Sequence, residues 1–592
     1  MSKVLEEKLE KMSPEEQKLW ALRHTAEHVL HTALQNLYPK LKKAMGPATS
    51  EGFYHDFDLD EKITEADFPK IEKEMQRLID LDLPLIQEFV DVKKARDIFK
   101  GNPYKFEWVD EIEKRGEKFS LFKIGDIDLD LCSGPHVEST GKVKAFKLLS
   151  VAGAYWHGDE KNKMLTRIYG TCFPSKDDLL KYLEHVKLAK SNDHRKLGQE
   201  LDLFCFSDLV GKGLVMYTPK GTIIKNELQK ALMNACKEFG AMEVNIPHMA
   251  KLELYETSGH AQKFKDELFV VKSHHKEEFV LKPVNCPHHT QIYASRPRSY
   301  KDLPIAYVES TQQHRDEKPG AIGGLNRTRS FEIDDGHTFC TKEQITEEVI
   351  KLIKTAEKFY KQLNMWGNHW VSLSFRDPKT PEKYIGDEKD WQTAQKMLLD
   401  VNKTLKLNGK IIEGEAALYG PKIDIMMKDS LNNDVQLGTF QIDFAMPKRF
   451  DLKYVDQKGK EQTPIMIHRA ILGSYGRFIA NLLEKTGGAF PTWLSPVQVK
   501  VLPISERQIE YATEETKKLK DVGIRVELDD RNETLSAKIR DAQNEKVPYM
   551  VILGDKEIEK DEVSIRNREG KNSTMKLSKF IDIIKNEIEN YQ

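Results

Sequence analysis

A chain of 592 residues with no long uninterrupted apolar run cannot gather its hydrophobic side chains into one core or span a bilayer. Single cores rarely grow past about 250 to 300 residues, and a membrane span needs roughly 20 consecutive apolar residues. Three or four domains facing water are therefore expected. Apolar residues make up 39% and charged residues 31%, a balance that excludes a disordered chain. The opening stretch "MSKVLEEKLEKMSPEEQ" is too acidic and polar for a signal or transit peptide, so a cytoplasmic location with no membrane partner is expected. The six cysteines, at 132, 172, 205, 236, 286 and 340, are too sparse and irregular for a disulfide framework, which leaves individual thiols as candidates for chemistry. A net charge of −2 carries no bulk signature of nucleic-acid binding, so any RNA contact must come from local patches.

Periodicity divides the chain into four stretches. Residues 1–175 mix strands such as "GFYHDFDL" with helices such as "PKIEKEMQRLIDLD", the pattern of a small α+β domain. Their first helix should start after Ser13 as N-cap, with Pro14 at its first position and Glu16 three residues past the cap. Residues 176–200 read as a charged linker helix. Residues 201–495 are richer in strands, with Gly, Pro and Arg in the loops, and form the expected catalytic core. Residues 496–592 alternate strands and helices, which predicts a separate, mostly parallel α/β domain.

The segment "RHTAEHVLH" puts His24, His28 and His31 on one side of the first helix. Two imidazoles at i and i+4 aim at one point and can ligate a metal; a solvated His-rich helix face is the alternative. "CSGPH" adds Cys132 and His136 at the same spacing, and one Cys with three His suits tetrahedral zinc by ligand type. Within the core, "VESTQQHRDEKPGAIGGLNRTRSFEIDDGH" reads as a hairpin carrying Arg315, Glu317, Arg327, Arg329 and Phe331. Guanidinium forks suit triphosphate oxygens; an ordinary charged hairpin is the alternative. "HRAILGSYGRFIANLLEK" is a Gly-punctuated turn entering a helix with Arg477 near its start, and it contains no GxxxxGK[ST] phosphate loop. Cys286, His337 and His468 are scattered, and nothing in their spacing joins them.

These segments resemble the class II aminoacyl-tRNA synthetases, namely "ELQKALMNACKEFGAMEVNIP" ending at Pro247, "HRDE" and "LGSYGRF". More narrowly, "LKPVNCPHH", "DDGHTFC", "GEAALYGPKID", "MIHRAILGS" and "FPTWLSPVQV", with "HTAEH", "CSGPH" and "AGAYWHGD" upstream, are similar in order to the threonyl-tRNA synthetase family. The resemblance covers essentially the whole chain. It implies an α+β multidomain fold: an α+β editing domain, a class II catalytic core built on an antiparallel sheet, and a C-terminal α/β anticodon-binding domain. It also implies a homodimer packed through the Pro247 motif.

The implied activity is ligation of L-threonine to tRNA(Thr) through an adenylate, with ATP entering as its Mg2+ complex. Arg315 and Arg477 would clamp the phosphates, Arg315 also steadying charge at the α-phosphate. Arg329 and Phe331 would flank the nucleotide, Glu317 would accept from the adenine amino group, and Gln441 would belong to the same site. Cys286, His337 and His468 would hold one Zn2+ per subunit, with Asp335, Tyr419 and Lys422 around the threonine. Serine differs from threonine by a methyl worth roughly 1 to 3 kcal/mol, so a second, hydrolytic site is required. By the resemblance, His24, His28, Asp130, Cys132 and His136 form it and position water without a metal. Asn532, Glu557 and Arg566 would meet anticodon bases; surface polar residues are the alternative.

Three positions depart from the family pattern: Ile333 stands where a glutamine is common, Gly323 where a histidine is common, and Gly476 where an acidic residue is common. The ubiquitin-like domain that begins many members is not in this sequence, which opens at the editing domain. A paralogue that binds RNA but no longer aminoacylates is the competing reading; a broken Cys/His/His set or missing arginines would mark it, and all are present.

Overall fold

The computed structural model describes residues 6, 9, 10, 12–263, 265–367, 369–429 and 433–591. The chain divides into two compact units, one reaching to Val186 and the other starting at Lys187.

The first unit opens on helix α1 (Pro14–Leu37). As expected, Ser13 caps it: its hydroxyl accepts the Glu16 N–H at 3.3 Å, and the Glu16 carboxylate accepts the Ser13 N–H at 2.7 Å. Two donors that a helix start leaves unpaired are thereby satisfied reciprocally. Strands β1 (Lys42–Met45) and β2 (Phe53–Asp58) follow, then α2 (Phe68–Asp80), β3 (Leu85–Val90), α3 (Pro103–Arg115), β4 (Phe119–Ile124), β5 (Asp128–Leu131), β6 (Ala145–Tyr155) and β7 (Met164–Phe173). They make an antiparallel sheet in the order β1-β2-β7-β6 and a second one, β3-β4-β5. Val29, Leu30, Ala33 and Leu34 of α1 and Ile71, Met75 and Leu78 of α2 pack with Phe53, Phe57 and Ile168 in one core.

The single linker helix expected over 176–200 is two helices, α4 (Lys176–Ser191) and α5 (His194–Glu200). The Asp193 carboxylate accepts the Arg195 N–H at 2.8 Å and so begins a new helix inside a stretch whose charge pattern runs on unbroken.

The second unit is built on an eight-stranded sheet. After α6 (Pro219–Glu238) come β8 (Met242–Glu243), α7 (Cys286–Ala294), β9 (Ile305–His314), β10 (Ser330–Cys340), α8 (Ile345–Lys361), β11 (His369–Phe375), β12 (Lys410–Glu413), β13 (Lys422–Lys428), β14 (Asp434–Asp443), β15 (Ile465–Ala470) and α9 (Tyr475–Thr486). The order is β8-β9-β10-β15-β14-β13-β11-β12, antiparallel except for the outermost pair at each edge. Every residue of β15 is buried. Asp334 of β10 locks the turn after it: its carboxylate pairs with Arg469 and accepts the N–H groups of Ile471 at 2.8 Å and Leu472 at 3.1 Å.

The C-terminal part contains β16 (Val499–Pro503), α10 (Ile509–Asp521), β17 (Val526–Leu528), α11 (Leu535–Asn544), β18 (Tyr549–Leu553), α12 (Asp555–Lys560), β19 (Val563–Asn567), β20 (Asn572–Met575) and α13 (Leu577–Glu589). Gly523, at φ +87°, closes α10, as expected. The mostly parallel sheet needs correction. In the order β17-β16-β18-β19-β20 the first three strands are parallel, whereas β19 and β20 are antiparallel. The links into β19 and β20 are too short for the crossover that a parallel neighbour requires.

Candidate functional site

Register in the large sheet aligns the residues that the sequence scatters. His337 of β10 lies directly opposite His468 of β15, His468 opposite Gln441 of β14, and Gln441 opposite Lys422 of β13. Opposed residues of antiparallel strands project from the same face, so the four form one transverse row. Cys286, first residue of α7, meets this row, and the nearest ligand atoms of Cys286, His337 and His468 all lie within 4.8 Å of one another. All three residues are buried. Each imidazole is held by its other nitrogen: His337 Nδ1 is 2.7 Å from His289 Nδ1, and His468 Nε2 is 3.0 Å from Asp443 Oδ2. Such outer partners fix ring orientation in metal sites. Burial, with His289 and His468 adding to it, holds His337 well below the ordinary imidazole range, so it is a neutral donor. Burial and the neighbouring Asp335 and Asp443 push the Cys286 thiol up. A divalent cation taking the place of that proton would relieve the cost. By donor type and disposition these three residues could hold a metal ion, and one thiolate with two imidazoles suits zinc.

The residues expected around the amino acid gather here. Tyr419 stacks on His468 with ring centroids 4.4 Å apart and donates to Gln441 Oε1 at 2.8 Å. Asp335, two residues before His337 on the same face, accepts from Asn285 Nδ2 at 3.0 Å, and burial raises its carboxyl. Lys422 pairs with Asp424 at 2.7 Å. Gln441, expected at the nucleotide, stands between His468 and Lys422. His260 and His289 were not anticipated. His260 is buried, bonded to Ser258 at 2.9 Å, with Nε2 4.0 Å from Cys286 Sγ.

The arginines gather around the loop between β9 and β10. The Arg315 guanidinium lies over the Phe331 ring at 5.5 Å. Arg329 donates to the Glu317 carbonyl at 3.1 Å, and Glu317 pairs with Arg327 at 2.8 Å, a pairing not foreseen. Arg477, in the first turn of α9, donates from Nε and Nη2 to the Asn326 carbonyl, both at 3.4 Å. Burial lowers the affinity of Arg315 and Arg477 for their protons, and the Arg327 charge lowers both further. Two partly desolvated guanidiniums, Arg315 and Arg477, with the more exposed Arg327 near them, favour a polyanion. Two departures acquire context. A Cβ at Gly476 would lie 3.0 Å from the Leu325 carbonyl oxygen, so α9 approaches the loop at the limit for glycine; a Cβ at Gly323 would meet nothing within 4 Å. Ile333 stands opposite Thr311.

In the first unit the solvated helix face is wrong. His24, His28 and His31 are only 9%, 2% and 0% exposed. Cys132 Sγ is 3.4 Å from His24 Nε2 and 3.3 Å from His136 Nε2, and the His24 and His136 rings stack at 4.2 Å. Together with His28 these residues could by type hold a metal. Burial holds His24, His28 and His136 below the ordinary imidazole range and pushes the Cys132 thiol up to about 12. Asp130 pairs with Lys105 at 2.7 Å, both buried. The third imidazole, its ring centroid 4.6 Å from that of His28, takes other partners: His31 lies between Asp128 Oδ2 at 2.7 Å and Glu27 Oε1 at 3.3 Å. Although burial and Lys43 oppose it, the two carboxylates raise His31 to about 9. Lys105, Glu27 and Asp128 were missed because each looks like an ordinary polar residue until the fold buries it, and His31, noticed in the sequence, was given no role of its own.

The three expected anticodon residues are held separately. Asn532 is exposed. Glu557 accepts the Gly554 N–H at 3.0 Å and the Ser564 hydroxyl at 2.9 Å, so it caps its own helix. Arg566 Nη1 is 3.3 Å from Asn572 Oδ1, while its buried Nε has no partner.

Comparison with known proteins extends these observations. Residues 269–486 match the tRNA synthetase class II core domain (G, H, P, S and T), 498–587 the anticodon binding domain, and 120–169 the threonyl and alanyl tRNA synthetase second additional domain. The threonine–tRNA ligase of Oceanobacillus iheyensis is 41% identical over 576 residues, covering 97% of this chain and 89% of that protein. The Clostridium tetani threonine–tRNA ligase is 45% identical over 572 residues, 96% of this chain and 88% of its own. A crystal structure described as the RNA binding domain of threonyl-tRNA synthetase from Cryptosporidium parvum is 36% identical, with a TM-score of 0.63 over 67% of this chain and 98% of that one. With the core, the additional domain and the anticodon-binding domain present in one chain, this protein belongs to the threonyl-tRNA synthetase family of class II aminoacyl-tRNA synthetases.

Proposed function

We propose that this chain ligates L-threonine to tRNA(Thr) through a threonyl-adenylate and hydrolyses serine wrongly attached to the same tRNA. The convergence of Cys286, His337 and His468 within 4.8 Å beside the arginine loop carries this reading. Arg315 and Arg477 bind the phosphates of ATP, which enters with Mg2+, and Arg315 steadies the charge that builds on the α-phosphate as the threonine carboxylate attacks in line. Phe331 and Arg329 flank the adenosine.

An apolar pocket separates threonine from isosteric valine by only about 10²-fold. Cys286, His337 and His468 would hold Zn2+, which would take the substrate amino group and β-hydroxyl as further ligands; valine brings the amino group but no hydroxyl. Asp335 accepts a hydrogen bond from the bound amino acid, while Tyr419 keeps His468 in orientation. Serine passes this filter, and the His24, His28, Cys132 and His136 cluster, with Asp130 beside it, removes it by positioning water. Burial keeps these imidazoles neutral, so each can accept a hydrogen bond from a water in the pocket or donate one to it. We read this second cluster as metal-free, on the family resemblance. Asn532, Glu557 and Arg566 are proposed at the anticodon, although Glu557 would have to give up its cap to reach a base. A homodimer through the Pro247 motif and a cytoplasmic location complete the reading; no described helix is long and apolar enough to cross a membrane.

The test is ATP–pyrophosphate exchange with threonine, serine and valine, with zinc content measured on the same preparation. Exchange with threonine and serine but not valine, at one zinc per subunit, is expected. No exchange with threonine while tRNA still binds would instead identify an RNA-binding paralogue.

A further inference from the structure

We propose that His194, the first residue of α5, is a positioning residue for the nucleotide site, holding the loop whose Asn326 carbonyl receives Arg477. The inference rests on the reading of Arg477 as a triphosphate ligand.

His194 is 4% exposed and uses both ring nitrogens. The backbone N–H of Leu325 donates to Nε2 at 3.1 Å, so Nε2 carries no proton. The proton therefore sits on Nδ1, which donates to Glu484 Oε1 at 2.7 Å. Glu484 lies on α9, the helix that carries Arg477 in its first turn. One imidazole thus ties the loop between β9 and β10 to the helix that follows β15.

The loop is built for this contact. Gly324 adopts φ +52°, and a Cβ there would come within 2.2 Å of His194 Nε2, so only glycine lets the backbone approach the ring this closely. Leu325 is buried, and its carbonyl faces Gly476 on the other side. The next carbonyl, Asn326, accepts from Arg477. Gly323 and Arg327 close the turn through a hydrogen bond of 3.1 Å, and Arg327 then pairs with Glu317. Residues 324 to 326 are accordingly gripped by α5 on one side and α9 on the other. Removing the acceptor at Nε2 would leave a buried N–H unpaired, which the loop can relieve only by moving, and the carbonyl that steadies Arg477 moves with it.

The experiment compares His194→Ala, His194→Gln and His194→Asn in the full chain by ATP–pyrophosphate exchange, with Arg477→Ala in parallel. His194→Ala should raise the KM for ATP about tenfold, the size expected when a buried donor loses its partner, with little change in the KM for threonine. Gln carries a carbonyl near the reach of Nε2 and should recover most of the loss. Asn reaches only the Glu484 side and should not. A KM for ATP unchanged in His194→Ala while Arg477→Ala weakens ATP overturns the inference alone. Equal rises in both KM values with no difference between Gln and Asn mark a merely structural residue and also overturn it. An Arg477→Ala chain with normal ATP affinity removes the nucleotide reading and this inference with it.

Discussion

Asp443→Asn exchanges one carboxylate oxygen for an amide nitrogen in a residue with no exposed surface. Oδ1 of Asp443 accepts the N–H groups of Ala445 at 2.7 Å and Met446 at 2.8 Å, and Oδ2 lies 3.0 Å from His468 Nε2. A carboxylate is acceptor only, so it fixes the His468 proton on Nε2 and leaves Nδ1 bare for a cation. In the variant the amide oxygen keeps the two backbone bonds, and the amide nitrogen, a donor, faces Nε2. The ring is then driven to the other tautomer, with its proton on Nδ1, where a metal would have to bind. Loss of such an outer partner lowers metal affinity about 10- to 100-fold, or about 1.4 to 2.7 kcal/mol. Competition with a chromophoric chelator gives the affinity, and melting temperature reports the fold, which should change little because the backbone bonds persist. Threonine-dependent exchange should fall at limiting zinc and recover with excess. A zinc affinity within about twofold of the parent chain would refute the tautomer argument.

Three further outcomes follow from the same geometry. His31, raised from 6.5 to about 9, contributes stability that is fully present below pH 6.5 and lost as pH rises through about 9, on the order of 3 kcal/mol; protection of the α1 amides, taken relative to the base-catalysed intrinsic exchange rate, should fall across that window, and protection that stays constant contradicts the assignment. Lys105→Met strands the Asp130 carboxylate, whose Oδ1 already lacks a partner, at a cost of about 3 to 5 kcal/mol; the first unit should melt earlier and lose deacylation of Ser-tRNA(Thr) while threonine activation persists. Gly476→Asp pushes a Cβ against the Leu325 carbonyl at about 1 to 3 kcal/mol, which should appear as a higher KM for ATP; unchanged kinetics would mean that the loop yields freely.

Local order was legible in the sequence wherever its cause is local. The Ser13 cap, the hairpin from 305 to 340, the Gly523 stop and the Arg477 turn are each set by a few neighbouring residues. The split between α4 and α5 escaped because a single Asp193 cap competes with a continuous helical charge pattern. The antiparallel end of the last sheet escaped because strand direction depends on the length of each link, and α12 and β20 were not recognised within it. The two His/Cys clusters were assembled by family resemblance, whereas their supporting shells, His289 and Asp443 in one and Lys105, His31 and Asp128 in the other, were not.

By itself the amino-acid sequence determined which segments become helices and strands, how many cores the chain must build, and which side chains were available for chemistry, since those depend on periodicity, caps and residue type. Only the tertiary structure decided which of them meet. His337 and His468 are 131 residues apart in the chain and become neighbours through β-sheet register, and His31 and His28, whose rings stay 4.6 Å apart, take different roles because the fold places Asp128 against one ring and Cys132 near the other. Register and burial are set by the whole packed molecule, so no local stretch can encode them.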